Sequence, residues 1–292
     1  MKKKLALALA FSMSLALAAC GSSSSESSST EEAEETVEET AAEDSTEVST
    51  DAEAEEAGEE ETAEDAEEAE DTDAVSVMTY EEYVAAELDT QVCVETYVQA
   101  TQSWWDDTIT AYTQDEDGAY FLYNMTCSEE DAELLVPGTK IIVTGYKSEW
   151  SGEVEIIDAT FEFADDGDSY IAEALDVTEL LADESLEDYQ NQFVSFTGMT
   201  VEPSTDANGN EVAFLYNWDG SGEAGSNCDL YFNVSVNGET YNFTVESYLC
   251  GEDTEVYQTV TELEVGDVID MEGFLYWYEG VNPHITSVTV VG

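Results

Sequence analysis

The stretch "LVPGTKIIVTGYKSEWSGEVEII" (residues 135–157) returns, altered but unbroken, as "LEVGDVIDMEGFLYWYEGVNPHI" (residues 263–285). At a constant offset of 128, Leu135 meets Leu263, Gly138 meets Gly266, Ile141 meets Ile269 and Gly145 meets Gly273. Tyr146 then meets Phe274, Trp150 meets Tyr278, Gly152 meets Gly280 and Ile157 meets Ile285. A gapless run of matches at fixed spacing marks an internal repeat. The folded part of the chain therefore divides into two homologous modules.

Reading outward from the first copy gives each module a mostly β character. "TYEEYVAAEL" carries a capping box, Thr79 with Glu82, and predicts a short helix. In "TQVCVETYVQ" the residues Val92, Val94, Thr96 and Val98 fall on one face, the period of a half-buried strand. "TITAYTQDEDGAYFLYN" reads as two strands around an Asp117-Gly118 turn, and Ser128 with Asp131 opens another short helix. Pro137-Gly138 turns the chain into "KIIVTGY", and "EVEIIDATFEF" closes the module.

Three strands, a short helix and a two-stranded hairpin follow the order of the OB-fold, a five-stranded Greek-key barrel. The run L-x-x-G-T-x-I-x-V-T-G at Leu135–Gly145 resembles the passage from helix to fourth strand in that superfamily. The second module repeats the plan with "QFVSFTGMTVE", "EVAFLYNW", "VIDMEGFLYW" and "HITSVTVV". It departs by a hairpin, "DLYFNVSVNGETYNFTV", read as an insertion around the strong turn signal Asn237-Gly238. The expected fold is mainly β: two tandem OB-fold-like small barrels, residues 75–164 and 165–292.

Ahead of them lie two segments of different character. Lys2, Lys3 and Lys4 precede an apolar run, Leu5 to Leu17, that is too short for a membrane-spanning helix and reads as a signal peptide, residues 1–19. It ends in Leu17-Ala18-Ala19-Cys20, which resembles the lipobox of bacterial lipoproteins. That resemblance implies lipidation of Cys20, and a diacylglyceryl group supplies the two chains that stable anchoring needs. The expected location is the cell membrane, lipid-anchored on its extracytoplasmic face. Residues 21–74 hold 24 acidic residues and no basic, aromatic or proline residue. Such composition predicts a disordered linker over 20–74, a tether with a span of roughly 40 Å before charge repulsion extends it. The whole resembles OB-like surface lipoproteins of Gram-positive anaerobes, a likeness carried by structural motifs and implying no activity.

The chain holds 70 acidic residues against five lysines and no arginine. Removing the signal leaves only Lys140 and Lys147. Cationic side chains supply most nucleic-acid affinity, so the charge count predicts no nucleic-acid partner. The expected partners are the membrane, through the lipid, and a cell-wall glycan, a peptide or another protein. Four cysteines remain after Cys20: pairs Cys93–Cys127 and Cys228–Cys250, or four free thiols, both agree with their placement.

In OB-folds, ligands lie across strands two and three, flanked by the loops joining strands one to two and four to five. Trp104, Trp105 and Trp150 fall in those loops of the first module, with Lys147 close by. Tyr276, Trp277 and Tyr278 occupy the corresponding hairpin of the second, with Trp218 after its second strand. These aromatics read equally as a ligand rim or as plugs closing small barrels. Trp104 and Trp105 cannot both point inward on extended backbone, because neighbouring side chains alternate faces. One histidine and no arginine leave little for catalysis, and no local pattern marks a hydrolase carboxylate pair. The chain is expected to be a non-enzymatic binding or interaction module, with a purely structural stalk as the alternative. No catalytic residue, metal ligand or cofactor is expected. Asp115–Gly118, Asp165–Asp168 and Asp206–Asn210 offer oxygen-rich calcium candidates, although turn chemistry explains the same residues.

Overall fold

A computed structural model of the chain describes residues 76–164 and 167–292. The signal peptide, Cys20 and the acidic tether lie outside the described residues. So do Asp165 and Asp166 of one calcium candidate.

The first module is a closed barrel of five strands: β1 (Gln91–Thr101), β2 (Thr108–Gln114), β3 (Ala119–Thr126), β4 (Lys140–Trp150) and β5 (Glu153–Phe163). They close in the order β1-β2-β3-β5-β4, with β3 and β5 parallel and the other neighbours antiparallel. Val92, Val94, Thr96 and Val98 all point inward from β1 and are fully buried. They meet Leu122, Ile141, Val143 and Ile156 in one core. Helix α1 (Tyr80–Ala85) precedes the barrel, and both halves of its Thr79–Glu82 capping box are formed. Helix α2 (Glu129–Ala132), started by the Ser128 side chain, joins β3 to β4.

The second module closes in the same order. Its strands are β6 (Phe193–Glu202), β7 (Leu230–Val236), β8 (Glu239–Val245), β9 (Val268–Phe274) and β10 (His284–Val290), with α3 (Glu255–Thr261) between β8 and β9. β6 pairs with both β7 and β9, β10 pairs with β8 and β9, and the ring β6-β7-β8-β10-β9 is complete. Phe196, Phe232, Val234, Phe243, Ile269 and Ile285 fill it. Two OB-like barrels are thus the architecture, and both belong to one compact unit.

The hairpin read as an insertion is instead β7–β8, the second and third strands of the barrel. Phe232 and Val234 alternate inward with Phe243 and Val245, so this hairpin has the apolar face that a barrel wall requires. Its Asn237 and Gly238 both have positive φ, 56° and 88°, as the two-residue type I′ turn demands. The segment "EVAFLYNW" forms only two-residue pairings at Glu211–Val212 and Leu215–Tyr216. The insertion is residues 203–229, an enlarged loop between β6 and β7.

Candidate binding surface

The outer side of β2 and β3, the expected ligand face of the first barrel, is covered by the second barrel. Tyr112 and Phe121 sit opposite each other across β2 and β3, and both are buried. Phe274 stacks on Tyr112 with ring centroids 4.4 Å apart, and Tyr276 meets Phe121 edge-on at 5.3 Å. Tyr276 also stacks on His284 at 4.1 Å, while the Tyr112 hydroxyl hydrogen-bonds His284 Nδ1. Burial holds the imidazole neutral by lowering its pKa to about 3.

Polar contacts complete this seam. Gln114 Oε1 accepts from Phe193 N at 2.8 Å, and Glu153 Oε2 accepts from Trp277 N at 2.9 Å. The hairpin tips of the two barrels touch as well: Glu279 N donates to Ser151 O at 2.7 Å. Ser103 N, in the β1–β2 loop, donates to Tyr248 O at 2.8 Å.

The residues singled out from sequence separate into two sets. Trp104 is half-buried, packs against the core and donates from Nε1 to Cys127 O at 2.9 Å. Trp105, its neighbour, is 77 % exposed, as alternation requires. Lys147 is buried, and its Nζ donates to the carbonyls of Tyr83, Val84 and Ala86 at 2.9–3.0 Å. It caps the C-terminus of α1 and leaves the rim without its ammonium. Tyr276 belongs to the seam, and Trp277 is half-buried with its ring against Gly152. Trp150 and Tyr278, equivalent in the repeat, meet each other with centroids 5.2 Å apart and stay 53 % and 48 % exposed.

That exposed pair borders a face that sequence reading missed. On the outer side of β7 and β8, Tyr231 lies opposite Thr244, Asn233 opposite Asn242, and Ser235 opposite Thr240. Asn242 Nδ2 donates to Asn233 Oδ1 at 3.0 Å, and Asn282 Nδ2 donates to Asn242 O at 3.1 Å. Asn233 Nδ2 reaches Ser204 Oγ at 3.1 Å in the 203–229 insertion, and Ser235 Oγ donates to Glu202 Oε1 at 2.6 Å. The Tyr231 phenol is held protonated, its pKa pushed up to about 12 by burial first and then by Asp229. Asn282, in the same β9–β10 hairpin as Tyr278, also accepts from Thr244 Oγ1 at 3.3 Å and so ties that hairpin to this face. The signal was present in "LYFNVSVNGETYNFTV", where Tyr231, Asn233 and Ser235 alternate with inward apolar residues. Treating the hairpin as inserted concealed it.

An open cleft of about 1020 Å³ lies elsewhere, between α1 and residues 187–191, with Tyr80, Tyr83, Glu81, Asp117 and Asp188 on its walls. The calcium candidates are turns that use their own oxygens: Asp115 Oδ1 accepts from Asp117 N and Gly118 N, and Asp206 Oδ1 from Asn208 N and Asn210 N. Among the described residues no group of three metal-ligating side chains comes together. Cys93, Cys127, Cys228 and Cys250 are free thiols. Among the described residues no helix is long and apolar enough to cross a membrane.

No family model and no curated protein matches the chain. Solved structures of OB-type domains do. An Ifi202 HINa domain in complex with 20 bp double-stranded DNA shares 11% identity and a TM-score of 0.31, covering 70% of this chain and 96% of that one. A murine DNA-binding protein bound with double-stranded DNA shares 9% identity and a TM-score of 0.34, covering 68% and 96%. A Replication Protein A heterotrimer bound to single-stranded DNA shares 12% identity and a TM-score of 0.29, covering 69% and 49%. These likenesses concern the fold, and they correct one expectation. The expected absence of a nucleic-acid partner is corrected by this finding: two of these three proteins were solved on double-stranded DNA and one on single-stranded DNA. Net charge is a sum over the chain: residues 75–292 hold 46 of the 70 acids and two lysines, and that sum does not give the local field at any one barrel face.

Proposed function

We propose that this chain is a non-catalytic binding protein whose ligand lies across the outer face of β7–β8, with glycan chains as the ligand class. One observation carries the reading: the OB-type face of the first barrel is sealed by Tyr276 and Phe274, while on the same face of the second Asn242 and Thr240 are exposed and Tyr231, Asn233 and Ser235 half-buried. The amides of Asn233, Asn242 and Asn282 form a hydrogen-bonded network along this face, and sugar hydroxyls, which both donate and accept, can exchange with its bonds. Trp150 and Tyr278 supply flat apolar walls beside them. Anchoring by a lipid on Cys20, at the outer face of a cell membrane, belongs to the same proposal and rests on the Leu17–Cys20 motif.

Calorimetry with cell-wall glycan fragments, basic peptides and single-stranded oligonucleotides separates the ligand classes. Saturable glycan binding, lost in Asn242→Ala and weakened in Tyr278→Ala with melting temperature unchanged, is the expected result. Saturable binding confined to peptide or oligonucleotide transfers the face to that class. Failure of all three arms leaves the stalk, a reading consistent with the tight seam. Incorporation of labelled palmitate, abolished by Cys20→Ala, tests the anchor separately.

A further inference from the structure

Two buried oxygens at the seam have no hydrogen-bond partner: Glu153 Oε1 and Asn191 Oδ1. Glu153 opens β5 and is 0% exposed. Its other oxygen accepts from Trp277 N of the second barrel. Asn191 stands just ahead of β6, its backbone N donating to Leu275 O at 2.9 Å and its Nδ2 to Val154 O at 3.0 Å. The Asn191 side chain lies near the Glu153 carboxyl: its amide bonds the carbonyl of the next residue, Val154, and its effect on the carboxyl pKa is a lowering one, smaller than the rise that burial causes. If that carboxyl were ionised, both buried oxygens would stay unpaired in a dry site, at the full cost of unmade hydrogen bonds. Flipping the amide does not help, because its oxygen would then oppose the Val154 carbonyl. One added proton satisfies both atoms.

We propose that Glu153 is a carboxylic acid in the folded protein, its Oε1–H donating to Asn191 Oδ1, and that this proton latches the second barrel over the aromatic face of the first. Ionisation passes the proton to water and leaves a carboxylate in the seam. The groups facing it offer little compensation. Tyr83 from α1, Glu155 from β5, Tyr276 from the β9–β10 loop and Tyr112 from β2 surround it, with Glu246 beyond the two seam tyrosines. Lys147, 5.0 Å from the centre of the Tyr83 ring, is committed to three carbonyl oxygens. Burial, the first cause, raises the Glu153 pKa from 4.5 to about 8.

The sign follows from linkage. A folded pKa above the unfolded one means that the native state holds the extra proton between them. The stabilisation from Glu153 is therefore complete below about pH 4.5, erodes as pH rises and is gone above about pH 8. Opening the latch would uncover Tyr112 and Phe121, the latent OB face of the first barrel.

The test compares melting temperatures of the full chain and its Glu153→Gln variant from pH 5 to pH 9. Glutamine supplies the same donor and acceptor but no titration. The wild type should lose several degrees more than the variant between pH 5 and pH 8.5, with parallel curves above that. Glu246 and His284 titrate in both proteins, so the difference isolates Glu153. Curves parallel throughout overturn the proposal. Infrared spectroscopy of the wild type gives an answer even if the variant fails to fold. Two buried acids, Glu153 and Glu246, should give protonated-carboxyl C=O stretches at pH 6.5 that are lost by pH 9.5, and their absence at pH 6.5 refutes the latch.

Discussion

At the scale of single residues, the seam makes the chain's one histidine an internal reporter. His284 is buried against Tyr112 and Tyr276, and burial lowers its pKa from 6.5 to about 3. The unfolded chain then takes up a proton that the folded one refuses, so this residue's contribution to stability is lost as pH falls from about 6.5 toward 3. The imidazole carbon signals in NMR should stay at their neutral positions from pH 8 to pH 4.5. A midpoint near 6.5 would place the ring in water. The adjacent tryptophans make a second residue-level contrast. Trp104→Ala removes core packing and the bond to Cys127 O, and should cost about 3–5 kcal/mol in urea unfolding. Trp105→Ala, at an exposed site, should stay within about 0.5 kcal/mol. Equal losses would contradict their placement on opposite faces.

At the scale of elements, the repeat was legible because it encodes a bend. Gly145 and Gly273 occupy matching places where the fourth strand of each barrel breaks register with the fifth. A Cβ on Gly145 would stand 2.8 Å from Ile157 O, and one on Gly273 would overlap the carbonyl oxygen of His284. Gly145→Ala and Gly273→Ala should each lower stability by about 1–3 kcal/mol or prevent folding, as overpacking does. A neutral result in thermal melts would mean that the two strands pass each other differently. The β1 face was equally legible, since Val92, Val94, Thr96 and Val98 obey a period of two. The β7–β8 hairpin was recognised by its Asn-Gly turn yet misassigned. Period and turn chemistry identify a strand pair, but closure of the ring is a long-range choice that pairing with β6 makes. Tyr231, Asn233 and Asn242 stayed hidden for that reason. Lys147 misled because its distance along the chain from Trp150 says nothing about which way its side chain turns.

At the scale of the whole molecule, charge opposes the fold and the seam holds it. Seventy acids against five lysines repel one another, and screening should relieve that repulsion. Raising salt from about 0.01 M to 1 M shortens the Debye length from about 30 Å to 3 Å, so the melting temperature should rise. A fall would show that attractive pairs such as Lys140–Glu95, 2.8 Å apart, outweigh the self-repulsion. No property of sequence spacing could have shown that one barrel covers the other's face, because Tyr112 and Phe121 lie more than 150 residues before Phe274 and Tyr276 in the chain. Hydroxyl-radical footprinting of the full chain at pH 6 tests that covering most directly. Oxidation should be rapid at Trp150, Tyr278 and Trp105 and near background at Tyr112, Phe121 and Phe274. Labelling of Tyr112 and Phe121 at the rate of the exposed rings would contradict it.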